Sequence, residues 1–212
     1  MGIRERRERE RQEVRGRILD AARDLFIRDG YEAVTMRKVA EAVEYSPTAL
    51  YLHFADKASL LRALCADDFL SLAKAFQRIA REPDPVERLR KIGHAYVDFA
   101  LDHPNHYRLM FMTPKPVKVE PACGAEEAHV EQDAYAFLRA TVVEAMAGGR
   151  LRQDLKDPDL VAQALWAGTH GVASLQIVMG GDPNMEMCPP RKVATVVIDA
   201  ALAGLVAAKG GP

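Results

Sequence analysis

Ser46 and Pro47 open a short run whose side chains are suited to hydrogen-bonded recognition. A serine hydroxyl at this point accepts a backbone N–H as a helix N-cap, and proline follows where a missing N–H costs nothing. Behind them, Leu50 and Phe54 fall at i and i+4. Ahead of them, Met36, Val39, Ala40 and Val43 fall at i, i+3, i+4 and i+7, a single apolar helical face. Residues 35–54 therefore read as two amphipathic helices joined by a tight break. Such a pair is a helix-turn-helix, whose second helix can enter a DNA major groove. The groups on offer are hydroxyls and an outward helical face, which is the chemistry of reading a surface. Signatures of catalysis (HExxH, GxSxG, a phosphate-binding loop, paired carboxylates) do not stand out, so no enzyme is expected.

Whole-chain properties limit where such a surface can lie. The 212 residues carry a formal charge of −1, so any DNA-binding face must come from the distribution of charge. Cys65, Cys123 and Cys188 are far apart, odd in number and form no CxxC, which suggests reduced thiols. His94, His103, His106, His129 and His170 are scattered, and neither a metal site nor a cofactor is expected. The N-terminus is charged with no apolar stretch of a secretory signal, and no run approaches a membrane span. A cytoplasmic protein with no membrane partner is the expectation.

Helical periodicity recurs almost throughout, with no convincing strand pattern. The expected class is all-α, with about nine helices: a three-helix N-terminal module and a larger C-terminal bundle. Across residues 4–17 seven arginines face four glutamates. Poor in apolar residues, positions 1–13 read as a flexible or loosely helical charged arm. A first helix is expected over 14–29, with Ile18, Ala22, Leu25 and Phe26 inward and Gly30 ending it. The helix-turn-helix domain occupies 14–55. From Asp56-Lys57 a long helix reaches about Ala80, and residues 56–212 form the bundle. Further helices are expected at about 85–102, 126–147, 158–179 and 191–207. The segment TPKPVKVEPACGA at 113–125 reads as a loop.

ILDAARDLF, TMRKVAEAV and SPTALYLHF followed by ADKASLL resemble the DNA-binding domain of the TetR family of transcriptional regulators. The resemblance covers about residues 14–64 and is most specific at Leu50-Tyr51-x-His53-Phe54 and Lys57. It implies that the second helix of the motif brings Ser46, Pro47, Thr48, Ala49, Tyr51 and Leu52 to double-stranded DNA. Thr48, Tyr51 and Leu52 share one face by spacing. Thr48 suits a base edge or a thymine methyl, and Tyr51 suits a phosphate. Leu52 divides evenly between a base methyl contact and a plain surface leucine. Thr35 reads as an N-cap whose helix end favours a phosphate. For Arg37 a phosphate clamp is preferred over a bidentate guanine contact. His53 divides between phosphate and core, the resemblance favouring phosphate. Lys57 sits at a helix start, poor for a cation unless a phosphate relieves it. The arm arginines, Arg4 to Arg11, are evenly balanced between DNA contact and solvated tail. One departure stands out: Glu44 occupies the turn position where the family commonly has glycine. Either it accepts a left-handed backbone at roughly 1 kcal/mol, or the turn differs.

The resemblance further implies a homodimeric repressor of a palindromic operator. The last two helices, 158–179 and 191–207, are the candidate dimer face, since the final helix is apolar nearly all round. Trp166, His170 and Gly171, with HPNHYRLMFM before them, are similar to a Trp-His-Gly subgroup of the family. A pocket for an apolar or aromatic effector would draw on Tyr96, Phe99, Tyr107, Phe111, Tyr135, Trp166 and His170, although aromatic residues of this kind are core by default. The competing reading is a DNA-binding regulator with no small-molecule ligand, acting through protein partners.

Overall fold

The computed structural model describes residues 2–113 and 133–207. Nine α-helices occur among the described residues: α1 (Ile3–Asp29), α2 (Met36–Ala42), α3 (Pro47–Tyr51), α4 (Lys57–Gln77), α5 (Pro85–Asp102), α6 (Pro104–Tyr107), α7 (Ala134–Ala147), α8 (Pro158–Met179) and α9 (Pro190–Leu205). A π-helical turn, Arg108–Met112, continues α6. The all-α reading is borne out. The loop expected at 113–125, except Thr113, and the start of the helix expected at 126–147 lie outside the described residues. No helix among those described is long and apolar enough to cross a membrane.

The first helix starts earlier than its apolar stripe suggests. It begins at Ile3 and takes in the charged arm. Alternating arginine and glutamate make this possible, since Arg6 pairs with Glu10 at 2.8 Å and Arg9 with Glu13 at 3.8 Å, each one turn apart.

The chain forms two compact units. The first, over residues 2–68 and 105–113, has a core of Ile18, Ala22 and Phe26 from α1, Val39 from α2, Leu50 from α3, and Leu60, Leu61 and Leu64 from α4. Leu109 completes it with no solvent exposure. The N-terminal module thus extends past the boundary expected at residue 55. One long helix and two short ones cannot cover their own apolar faces, and the start of α4 together with residues 105–112 supplies the missing surface.

A buried polar cluster pins the same elements. Asp68 on α4 is fully buried and Arg23 on α1 is 4% exposed. Arg23 donates to Asp68 Oδ1 at 2.8 Å and to Asp20 Oδ1 at 2.7 Å. His106 Nδ1 lies 2.8 Å from the same Asp68 oxygen. Burial pulls the Arg23 guanidinium down, but its bonds to Asp68 and Asp20 outweigh that and hold it above its ordinary value.

The second unit packs α5, α7, α8 and α9. Gly93 sets the approach of α5 to α9, since a Cβ there would stand 2.9 Å from Ile198 Cδ1. Arg191 on α9 ties back to α5 through Asp98 at 2.7 Å and Asp102 at 3.2 Å.

Asp68→Ala should destabilise the protein by about 3–5 kcal/mol, because it strands the Arg23 charge in the interior. Asp20→Ala removes a partner whose side chain is 75% exposed and should cost about 1 kcal/mol or less. Urea denaturation of both variants checks the contrast.

Candidate nucleic-acid interface

The two helices of the motif are each fixed at their start by a hydroxyl. Thr35 Oγ1 accepts from the Lys38 N–H at 3.2 Å, and Ser46 Oγ accepts from the Ala49 N–H at 3.1 Å. Pro47 is the first residue of α3. Between them the turn resolves the question raised by Glu44. Its φ is 60°, the left-handed region. The Glu44 N–H donates to the Glu41 carbonyl at 3.2 Å and the Tyr45 N–H to the Ala40 carbonyl at 2.9 Å. This is the paired hydrogen-bond closure that usually calls for glycine. Glutamate accepts the strain, and the two bonds satisfy carbonyls that would otherwise be left open at the end of α2. The Tyr45 hydroxyl then accepts from Arg17 of α1 at 2.9 Å, which ties the turn to the first helix.

α3 divides its faces cleanly. Leu50 is fully buried and Phe54, just past its end, is 5% exposed. Thr48 is exposed, Tyr51 is 52% exposed and Leu52 is 75% exposed. Ser46, Pro47, Thr48, Tyr51 and Leu52 are therefore carried together by one short helix and its cap, with the apolar anchors turned inward. Thr35 and Arg37 stand exposed at the start of α2.

The charged candidates separate. Arg37 pairs with Glu41 at 2.9 Å, with the two side chains 81% and 63% exposed. Such a pair is weak and can exchange its carboxylate for a phosphate. Lys57 has partners within the unit: its Nζ donates to the Tyr31 carbonyl at 2.8 Å and lies 4.1 Å from the centre of the Tyr31 ring. Those contacts answer the dipole objection without DNA. His53 is half-buried, with Nδ1 enclosed and without a hydrogen-bond partner. Burial first, and then the charges of Arg11 and Arg15, hold its pKa below the usual histidine value. Arg15 itself lies 5.1 Å from the centre of the Phe54 ring. The motif spacing does not point to Arg15, Arg17 or Tyr45, which the fold brings to the site. No local spacing relates α1 to a turn so far along the chain.

The aromatic residues named for a pocket also divide. In the second unit, Tyr96 and His170 share a hydrogen bond of 2.9 Å between hydroxyl and Nδ1. The Trp166 ring stands 6.0 Å from His170 and 6.2 Å from Tyr135. Burial holds the His170 pKa below its ordinary value. Phe99 packs against His103 at 5.2 Å. Tyr107 and Phe111, 5.0 Å apart, belong to the first unit. A groove of about 370 Å³ lies elsewhere in the second unit, lined by α8, α9 and residues before α9 that include Met187 and Cys188. None of the seven aromatic and histidine candidates lines it.

Known proteins match both parts of the chain. Residues 18–64 match the family model described as bacterial regulatory proteins, tetR family, and residues 89–201 the model described as tetracyclin repressor-like, C-terminal domain. Over 102 residues the chain is 33% identical to the transcriptional activator FasR of Mycolicibacterium smegmatis, covering 48% of this chain and 47% of that one. Over 87 residues it is 39% identical to the transcriptional repressor KstR of Rhodococcus jostii, covering 38% of each. The chain thus spans less than half the length of these curated relatives. A solved structure of a protein of unknown function from Rhodococcus sp. RHA1 superposes with a TM-score of 0.70 at 28% identity, over 92% of this chain and 96% of that one. The fatty acid degradation regulator FadR of Bacillus halodurans shares the fold, with a TM-score of 0.73 at 16% identity over 90% and 95% of the two chains.

Glu44→Gly should stabilise the protein by about 1 kcal/mol, the strain of a left-handed non-glycine residue being removed. A thermal melt of both forms measures this, and an unchanged or lowered midpoint would contradict the strained turn.

Proposed function

The chain belongs to the TetR family of transcriptional regulators, and from that premise we propose a homodimer that reads a palindromic operator through α3 and leaves it when a small apolar or aromatic ligand binds. The observation that carries the DNA reading is the division of α3: Leu50 and Phe54 are locked inside while Thr48, Tyr51 and Leu52 face out. Thr48 presents a hydroxyl and a methyl for base edges. Tyr51 and the capped start of α2 at Thr35 serve phosphates and set register. Arg37 joins them by exchanging Glu41 for the backbone.

The apolar outward faces of the last two helices support a two-fold dimer. On α9, Ala194, Ile198 and Leu202 are buried, yet Val196 on another face is 69% exposed. On α8, Leu175 and Val178 are 56% and 65% exposed. A second copy applied by two-fold symmetry would cover both helices with themselves. The α8–α9 groove is continuous with that face, since Leu175 is part of its wall. Two copies would then present two α3 helices to half-sites one duplex turn apart.

The cluster of Tyr96, Tyr135, Trp166 and His170 supports a ligand-responsive bundle. It combines large apolar rings with one hydroxyl–imidazole pair whose histidine pKa burial holds below its ordinary value. An uncharged ligand with an apolar body fits that chemistry. Regulation would follow from a higher affinity for the DNA-free state.

Selection from a random duplex library should enrich an inverted repeat. Against it, Thr48→Ala should lower affinity about tenfold and relax preference at one position. Tyr51→Phe should weaken all sequences alike. Leu175→Glu or Val196→Glu should give monomers in sedimentation and lose the palindrome. A chain that is monomeric, or that prefers no repeat over random competitor, would overturn the proposal.

Melting-temperature screening against uncharged aromatic and aliphatic compounds should find ligands that also release the selected duplex. Equal affinity of every such compound for free and DNA-bound protein would remove the ligand arm.

A further inference from the structure

The arm arginines are not equivalent. Arg6 and Arg9 are matched by Glu10 and Glu13 one turn on. Arg11 and Arg15 have no carboxylate within ion-pair distance among the described residues. They lie at i and i+4, so α1 carries them on one side. That side meets the end of α3: Arg15 lies over the Phe54 ring, and both charges act on His53. His53 Nδ1 is enclosed with no acceptor. An N–H left unpaired there would cost more than a bare lone pair, so the proton of the neutral ring belongs on Nε2. Two uncompensated guanidinium groups and one imidazole N–H thus gather beside the helix read as the DNA reader. Like charges held together this way are stabilised by an anion with several acceptor oxygens.

We infer that Arg11, Arg15 and His53 form a seat for a phosphate of the DNA backbone, flanking the groove that α3 enters. The inference rests on the reading of α3 as the recognition helix. It also assigns the N-terminal extension of α1 a task. The helix delivers two of its arginines to the duplex edge, while Glu10 and Glu13 pair with Arg6 and Arg9. Phosphate is the chemistry, and the duplex backbone is its source. Such contacts carry no sequence information, so the seat sets position and salt dependence while Thr48 sets preference.

The probe is a fluorescent random-sequence 30-base-pair duplex, titrated by anisotropy between 50 and 200 mM salt. Arg15→Gln should make the slope of log affinity against log salt shallower by about 0.9, the value of one phosphate contact. Arg6→Gln removes the same charge from a paired site and should leave the slope nearly unchanged. Arg15→Lys should restore it, which separates lost charge from lost packing against Phe54. In parallel, the ring signals of His53 should move in NMR spectra when the duplex is added, and the shift should shrink in Arg11→Gln. Equal slopes for Arg15→Gln and Arg6→Gln would overturn the seat. So would His53 signals that answer inorganic phosphate while Arg15→Gln leaves the duplex slope untouched. A wild-type protein that fails to bind any duplex would instead sink the reading of α3, a result distinct from either.

Discussion

A carboxylate with no access to water has to find its counter-charge inside the protein, and Asp68 finds it in Arg23 of α1, with a further polar partner on α6. Arg23 and His106 converge on one of its oxygens. The other oxygen and the Arg23 Nε are enclosed with no hydrogen-bond partner, so the arrangement has little slack. Any shift of α1 along α4 separates charges in a dry interior, and the penalty rises steeply with distance. The apolar core alone would hold these helices together. Apolar packing tolerates sliding in a way that a shared carboxylate does not. The cluster therefore sets the register of α1, and with it the places where Arg11, Arg15 and Arg17 emerge beside α3. It also explains why residues 105–112, far along the chain, belong to the unit that carries α3.

What could be read in the sequence was whatever depends on neighbours a few residues apart. The two hydroxyl caps, Pro47 at the start of α3 and the inward positions of Leu50 and Phe54 all follow from local spacing, and the structure has them so. Helix ends at Asp102 and Met179 follow from breaker residues for the same reason. Where the pattern fell short, a non-local contact decided. α1 starts before its apolar stripe does, because the stripe cannot register an arm held by its own ion pairs. The compact first unit runs past residue 55 because Leu60, Leu61, Leu64 and Leu109 enter its core, and their periodicity is the same whichever core they enter. Lys57, for which the sequence suggests a phosphate, also has a partner of its own. Its carbonyl and ring partner, Tyr31, is a contact that no spacing rule can announce.

Glu44 shows the limit in another form. The conformational preference of the residue and the geometry of the turn disagree, and sequence alone left both outcomes open. The turn prevails because Val39, Ala40 and Leu50 are already committed to the core on either side of it. The hydrogen bonds from Glu44 and Tyr45 close the end of α2 in the one way those anchors permit. A glutamate is tolerated because the surrounding contacts exceed what the strain subtracts. The bundle helices show a comparable division: Ile198 and Leu202 satisfy the unit's own core, while Val196, identical in kind to core residues, is left outside. Composition cannot assign such residues to one side or the other.

α3 has only five residues, far too few to be helical by its own propensity. Its shape is borrowed from the cap at Ser46 and the two anchors, Leu50 and Phe54. The outward positions consequently contribute almost nothing to holding the helix together. On the proposed reading of α3, binding preference and thermal robustness are written in different residues, so mutation would retarget the regulator one surface side chain at a time without first having to re-stabilise it.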